Sequence, residues 1–593
     1  MSHTFHIPVL GLGYSIDTPL KVSKYGVSSV LSIVDDELVE RMREYHSNQN
    51  GRVFNSISKI ETDSRSKRIT AYLNFLSTEI TTQFELLRQQ EFIKGNDICR
   101  YFELLPESSK LKAGYELMMD YPEGDSKKIF QDILRKGMKL GAVDVNIMAK
   151  VDKMNFVNDE YTGDMNTDAL AALRGFAESN LHSSVILSAG MNPRLYSYIE
   201  SFEDFLPNKD AELNKKIILK VSDFRSALIQ AKFLAKKGLW VSEFRIESGL
   251  NCGGHAFATE GYLLGPILEE FKVKKKDMLV ELFGIYQSAL TQKGISLTNK
   301  PAQRISVQGG IGTAAEHEFL LNHYQLDAAG WGSPFLLVPE VTNVDNATLK
   351  QLTFSKESDF YLSGSSPLGI QFNNFKNSSI DALRLKRIEQ GRPGSPCTKK
   401  YLVSNTEFTT APICTASREY QHKKIKSLKA AELTEQEYEK QYNAVVEKVC
   451  LCEGLTSATY IKYNISKPKE NKAVAICPGP NLAYFSKVYS FDEMVGHIYG
   501  KVDLLTKIER PHFFIKELNL YIDYLQNELQ QHLQNFNDKK KKQLNNFKFQ
   551  LTEGVNYYKQ LFNEVADHAS VQVKDLYDQL AISKVKLDSI IID

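Results

Sequence analysis

The chain has 593 residues, enough for two or more domains, and its 42% hydrophobic and 24% charged content is that of folded protein rather than of a disordered segment. Lys plus Arg (73) nearly balances Asp plus Glu (72), a formal charge of +1, which leaves no broad basic field for nucleic acid. The N-terminal residues lack a basic region followed by an apolar core and no window approaches about eighteen uninterrupted apolar residues, so the expectation is a cytoplasmic protein with no membrane span.

Short β-rich runs recur along the first half, each followed by a helical stretch: residues 7–12, 28–34, 143–148, 184–189, 216–221, 240–247, 305–308 and 326–331. The spacing after the fifth run predicts a helix over 223–237, capped by Ser222, with Phe224, Leu228, Ala231 and Leu234 on one face and Gly238 as its stop. Regular alternation of strand and helix argues for parallel pairing, and eight units predict an α/β fold, a closed (β/α)8 TIM barrel. A long insertion, about residues 36–140, separates the second and third units and is rich in helix formers.

Past about residue 345 the rhythm stops. Residues 346–509 read as a loop-rich extension covering the barrel, with Gly364 to Gly369, Gly391 to Cys397 and Cys477-Pro478-Gly479-Pro480 as turn-forming stretches. Residues 510–593 read as helical, and the Lys539 to Lys542 run is a solvated helix face rather than a phosphate site.

Two glycine-bearing runs stand where a barrel carries its chemistry. Asn251-Cys252-Gly253-Gly254-His255 follows the sixth strand, and Gly309-Gly310 ends the seventh before a helix expected from near Thr313. Paired glycines let a phosphate approach the backbone, and a helix N-terminus supplies amide donors and the positive end of a dipole. An isolated Gly-Gly is more often only a tight turn, but the position after strand seven favours a phosphate cradle, which Gly332 and Ser333 after strand eight would complete. Together these runs suggest a flavin phosphate with a histidine nearby. His255, at the barrel mouth, has a side chain suited to moving a proton to or from a carbon acid. Cys252 reads as small buried packing.

Seven cysteines, at 99, 252, 397, 414, 450, 452 and 477, are odd in number and scattered, which argues against a disulfide framework. Five lie in the second half, but only Cys450 and Cys452 are close in sequence and no zinc-knuckle spacing is present, so reduced, buried thiols and no metal are expected.

Over about residues 5–342 these motifs resemble the nitronate monooxygenase (2-nitropropane dioxygenase) family of FMN-dependent barrels, which includes flavin-type enoyl-acyl carrier protein reductases. The family's Glu-Ala-Gly-Gly-His segment is similar to residues 251–255, without its glutamate. Its Gly-Gly-Ile and Gly-Thr-x-Phe-Leu-x-x-x-Glu segments are similar to Gly309-Gly310-Ile311 and to Gly332 through Glu340, and its strand-three Val-Asn to Val145-Asn146. Its N-terminal Pro-Ile-Ile-Gln-Ala-Pro-Met is loosely echoed by Pro8 through Tyr14.

The resemblance implies FMN held by Leu12, Gly13, Tyr14, Asn146, Gly253, Gly254, Gly309, Gly310, Gly332 and Ser333. It implies His255 as the base that takes a proton from a small carbon acid, with oxygen as electron acceptor. The alternative within enzymes is an NAD(P)H-dependent enoyl-thioester reductase in which His255 supplies the proton. The absent glutamate motivates a further alternative, a non-catalytic scaffold of a biosynthetic complex. The extension could build a homo-oligomer interface or close the barrel mouth.

Overall fold

Eight short parallel strands close into a barrel in the computed structural model, which describes residues 2–147, 152–157, 160–188, 190–256, 260–505, 510–532, 537–566 and 572–592. They are β1 (Phe5–Ile7), β2 (Ser28–Ser32), β3 (Val143–Asn146), β4 (Ser183–Leu187), β5 (Lys215–Val221), β6 (Val241–Glu247), β7 (Arg304–Gln308) and β8 (Ala328–Gly330). Each pairs with its sequence neighbour, and β1 closes the ring with His6 opposite Ser28 and Phe5 opposite Ala329. A closed ring satisfies both edges of every strand, so strands of three to seven residues suffice. The fold is the (β/α)8 barrel that the alternating pattern implied.

Two local expectations are corrected. The first strand is residues 5–7 rather than 7–12. Beyond Ile7 the amides leave the ladder: Leu10 N–H donates to Ser15 Oγ (3.0 Å) and Gly13 N–H to Leu455 O (3.1 Å), with Gly11 in the left-handed region at φ 60°. The helix after β5 is capped by Asp223, not Ser222, since Asp223 Oδ1 accepts from Ser226 N–H at 2.7 Å. Met148 and Ala189, the expected ends of the third and fourth strands, lie outside the described residues.

Alternation along the strands fills the interior with two kinds of side chain. Val30, Ile186 and Ile218 form an apolar cluster against Val9. On the other side Arg245, fully buried, donates to Asp144 Oδ2 (3.0 Å) and Glu243 Oε1 (2.8 Å), and Ser306 Oγ donates to the same Glu243 oxygen. Burial penalises all three charges, and the pairing keeps Arg245 a cation.

Between β2 and β3 lie five helices, among them α1 (Asp36–Gln49) and α2 (Ser64–Arg88). The later barrel helices include α3 (Phe224–Ala235), α4 (Leu264–Gln292) and α5 (Ala314–His323). Past the barrel a hairpin of β9 (Phe360–Ser363) and β10 (Phe372–Phe375) and the buried α6 (Leu451–Lys462) sit over its mouth. The chain ends in α7 (Phe513–His532), α8 (Asp538–Ala566) and α9 (Gln572–Asp588). Phe514 of α7 stacks on Tyr558 of α8 at 4.7 Å, and Tyr558 on Phe562 at 5.9 Å. In the lysine run, Lys540 pairs with Glu528, as a structural helix face would. Among the described residues, no helix is long and apolar enough to cross a membrane.

Candidate functional site

At the C-terminal ends of the strands, where barrels place their chemistry, lies a cavity of about 170 Å³. Its floor and walls come from strand ends: Ser32 of β2, Asn146 closing β3, Ser188 after β4, Lys220 of β5 and the Cys252–His255 segment after β6. Its roof comes from the extension, chiefly Phe372, Tyr401, Leu451, Leu455 and Cys477.

Tyr14 O–H donates to Ala475 O at 2.6 Å, fixing the loop after β1 against that roof. His255 is fixed by a 2.7 Å hydrogen bond between Nε2 and Ser366 Oγ, which also accepts from Leu368 N–H, and its ring meets Phe372 edge-on at 5.0 Å. Lys220 Nζ lies 2.9 Å from Glu247 Oε2. The other Glu247 oxygen accepts from Gln308 Nε2 (2.8 Å), and Gln308 Oε1 reaches His6 Nε2 at 3.5 Å. Burial, reinforced by nearby Arg245, drops His6 well below the ordinary imidazole range, so at neutral pH it is uncharged.

An ammonium and an imidazole on one mainly apolar cavity can do a defined piece of chemistry. The imidazole can move a proton, and the ammonium can stabilise the oxyanion that forms when a carbon next to a carbonyl or nitro group loses or awaits that proton. The cysteines here are not nucleophiles: burial raises the Cys252 thiol and pushes Cys477 up to about 12, so both stay protonated.

The structure brings Leu12, Tyr14, Asn146, Gly253, Gly254 and His255 onto this one cavity, and leaves Gly13, Gly309, Gly310, Gly332 and Ser333 off it. Gly13 packs on α6, where a Cβ would come within 2.4 Å of Thr459 Oγ1. Lys220, Ser32, Ser188 and the roof residues were not singled out from sequence. For Lys220 a signal existed: it continues the every-second-residue register of Lys216 and Ile218, one face of β5.

The presumed phosphate cradle is closed by the chain itself. A Cβ on Gly310 would stand 2.8 Å from Leu250, one on Gly332 2.6 Å from Cys252 Cβ, and one on Gly309 3.0 Å from Asn251 Cα. Ser333 Oγ donates to Cys252 O (3.1 Å) and accepts from Gly479 N–H (2.7 Å). The N-terminus of α5 holds an internal anion: Glu316 Oε2 accepts from the amides of Gly312 (2.8 Å) and Thr313 (3.2 Å).

Opposite Glu316 stands Arg510, whose Nη1 reaches Oε1 at 2.6 Å while its other nitrogens donate to Asn481 Oδ1 (2.9 Å) and Gly310 O (2.7 Å). The loop after β6 is sealed in the same way. Gly253 N–H donates to Asn251 Oδ1, Gly254 N–H to Cys477 O, and Glu517 of α7 accepts from Ser248 Oγ and the amides of Gly249 and Leu264. The amides of Gly312 and Thr313 and the Ser333 hydroxyl, three of the groups a phosphate could use here, are taken by Glu316, Cys252 and Gly479.

No family model and no curated protein matches the chain. Among solved structures, FabK from Thermotoga maritima aligns with 89% of this chain and 96% of its own, at 10% identity and a TM-score of 0.36. The enoyl reductase domain of MlnA, from the macrolactin biosynthesis cluster of Bacillus amyloliquefaciens, aligns with 94% and 97%, at 11% identity and a TM-score of 0.40.

Proposed function

We propose that the barrel mouth is the catalytic site of an oxidoreductase whose substrate is a small, largely apolar carbon acid, with His255 moving the proton and Lys220 facing the developing oxyanion. The observation that carries this reading is the convergence of Asn146, Lys220 and His255 on a single cavity at the strand ends. The oxidoreductase class is supported by the resemblance of the Gly-Gly-His, Val-Asn and Gly-Ser-Pro-Phe-Leu segments to flavin-dependent barrels.

A second reading, reduction of an enoyl thioester at the expense of NAD(P)H, is favoured by the lining of the cavity. Leu10, Leu12, Leu336, Leu402 and Ile476 make a surface suited to an acyl chain rather than to a compact nitronate. In that case His255 delivers the proton instead of removing it.

The test is ligand-induced thermal stabilisation and turnover with short nitronates and with 2-enoyl thioesters plus NADPH, on wild type and His255→Ala. The proposal expects binding to survive in the variant while turnover falls by about 10²–10⁴-fold, the usual worth of a general acid or base. Turnover unchanged by His255→Ala removes His255 from the mechanism. Failure of either ligand class to bind, with no turnover, returns the chain to the scaffold reading. Stoichiometric FMN in freshly purified protein, identified by mass, refutes the closed cradle.

A further inference from the structure

A single carboxylate from the C-terminal helices holds both ends of the segment that carries His255. Glu517 of α7 is 1% exposed. Its Oε1 accepts from Ser248 Oγ (3.0 Å) and Gly249 N–H (2.8 Å), just past the end of β6, and its Oε2 accepts from Leu264 N–H (2.8 Å) at the first residue of α4. One turn along the same face of α7, Tyr521 packs on the strand end, where a Cβ at Gly249 would stand 2.5 Å from the phenol oxygen. Tyr558 of α8 grips the helix start: it accepts from Gly265 N–H at 3.2 Å, and a Cβ at Gly265 would stand 2.4 Å from its ring. One turn before Glu517, Phe513 N–H donates to Glu316 Oε1 (3.2 Å), which fixes α7 itself on the barrel.

From these anchors hydrogen bonds continue to the cavity. Ser248 Oγ accepts from Leu250 N–H (3.1 Å). Asn251, the next residue, donates from Nδ2 to His255 O (2.8 Å), and its Oδ1 accepts from Gly253 N–H (2.9 Å) and Asn373 Nδ2 (2.9 Å). The place of His255 on the cavity therefore depends on where the segment leaves β6 and where it enters α4.

Packing alone accounts poorly for a carboxylate at this position. Burial raises the Glu517 carboxyl, and no cation is among the groups that act on it; only the two amides and the hydroxyl favour its anion. A buried charge without a cation is costly, and an apolar side chain would fill the same space without that penalty. A carboxylate offers two acceptor oxygens on one rigid plane. It can tie the strand end and the helix start at a fixed separation, which a side chain with one acceptor cannot.

We propose that Glu517 is a positioning residue for His255, a two-armed clamp through which α7 sets the place of the imidazole at the barrel mouth. Glu517 does not line the cavity and acts only through the segment it holds. The kinetic consequence rests on the proton-transfer reading of the cavity; the placement of the ring does not.

The test compares full-length wild type, Glu517→Gln and Glu517→Leu with Asn519→Ala, a control on the same helix that loses the contact of α7 with the Ser583 hydroxyl (3.0 Å). Glutamine has one acceptor oxygen in place of two and loses one arm, and leucine loses both. Two readouts need no substrate. Hydrogen exchange of peptides covering 248–250 and 263–266 is followed by mass spectrometry, and the His255 ring signal is recorded in protein labelled with 13C-histidine, assigned by its absence from His255→Ala. The expected result is exchange faster by about 10-fold or more in both Glu517 variants. The His255 signal should be displaced in Glu517→Gln and further in Glu517→Leu, with the control matching wild type on both counts. With a turned-over substrate, kcat should fall about 10–10²-fold in Glu517→Gln while KM stays within about threefold. Unchanged exchange overturns the proposal. So does a His255 signal that coincides with wild type although exchange has risen, or one displaced equally in the control. Where Glu517→Leu fails to fold, Glu517→Gln decides, and where the wild type turns over neither ligand class, the function proposed for the cavity fails while exchange and the ring signal still decide the clamp.

Discussion

The contact most diagnostic of how the extension is joined to the barrel is the pair between Arg510 and Glu316. Both side chains are 5% exposed and their closest atoms are 2.6 Å apart. Burial alone would raise the Glu316 carboxyl, but Arg510 overrides it and holds the carboxyl below the usual carboxylate range. In Arg510→Met the carboxylate keeps the amides of Gly312, Thr313 and Phe513 but loses the guanidinium paired with it, while Asn481 Oδ1 and Gly310 O lose their donor. Breaking one side of a buried pair costs about 3–5 kcal/mol, and the surviving amide bonds argue for the lower end, about 3 kcal/mol at pH 7.

Adding Glu316→Gln removes the stranded charge and should restore more than half of that loss, because coupled partners are not additive. The cost also depends on pH with a definite sign. Glu316 is depressed in the wild-type fold, so its pairing contributes stability above the ordinary carboxyl range and loses it as pH falls. The difference between wild type and Arg510→Met should therefore shrink as the buffer is taken below about pH 4.5. The assay is urea unfolding followed by intrinsic fluorescence for wild type, single and double variants at neutral and acid pH. A single variant within about 1 kcal/mol of wild type at pH 7, or a double variant no more stable than the single, refutes this account of the clasp.

Three further outcomes are expected. Gly253→Ala places a Cβ 2.1 Å from Cys477 O at a φ of 116°, so it should lower the melting temperature by the equivalent of at least about 1–3 kcal/mol, and an unchanged melting curve would show that the 253–478 contact is not made. His3, His317 and His512 are each lowered by burial to about 4; they take up protons near their ordinary value when unfolded but only near pH 4 when folded, so stability falls as pH drops from about 6.5 toward 4. The loss is roughly 2 kcal/mol per histidine at pH 5, and a urea midpoint equal at pH 7 and pH 5 would contradict it. Lys220→Met removes the cation beside Glu247 and should weaken binding of an anionic nitronate more than that of a neutral enoyl thioester, which competition titration can separate; equal losses would take Lys220 out of oxyanion recognition.

What the sequence showed and what it hid divide by the range of the interactions. Strand and helix alternation is a local pattern, so the eight strands and their closure could be read from it, with errors only where a loop amide found a side chain or a distant carbonyl instead of a ladder partner. The place of His255 at the barrel mouth followed from the same topology, and that of Asn146 from the Val-Asn resemblance. The turn at Gly309-Gly310 and the helix beyond it were also legible, but their use was not. Whether amides at a helix N-terminus are offered to a ligand depends on what else reaches them, and Arg510, Gly479 and Glu517 arrive from more than 140 residues downstream.

One local clue was present: Thr313-x-x-Glu316 is a capping-box pattern, which places a carboxylate where a phosphate would sit, and in the structure Thr313 Oγ1 and Glu316 complete that box. The loops that carry Cys397 and Cys414 are likewise brought together by a 395–418 backbone pairing that no short window of sequence contains. The extension thus acts on the barrel twice. It brings Arg510 to Glu316 and to the Gly310 carbonyl after β7, and it roofs the strand-end cavity with Phe372, Tyr401, Leu451, Leu455 and Cys477.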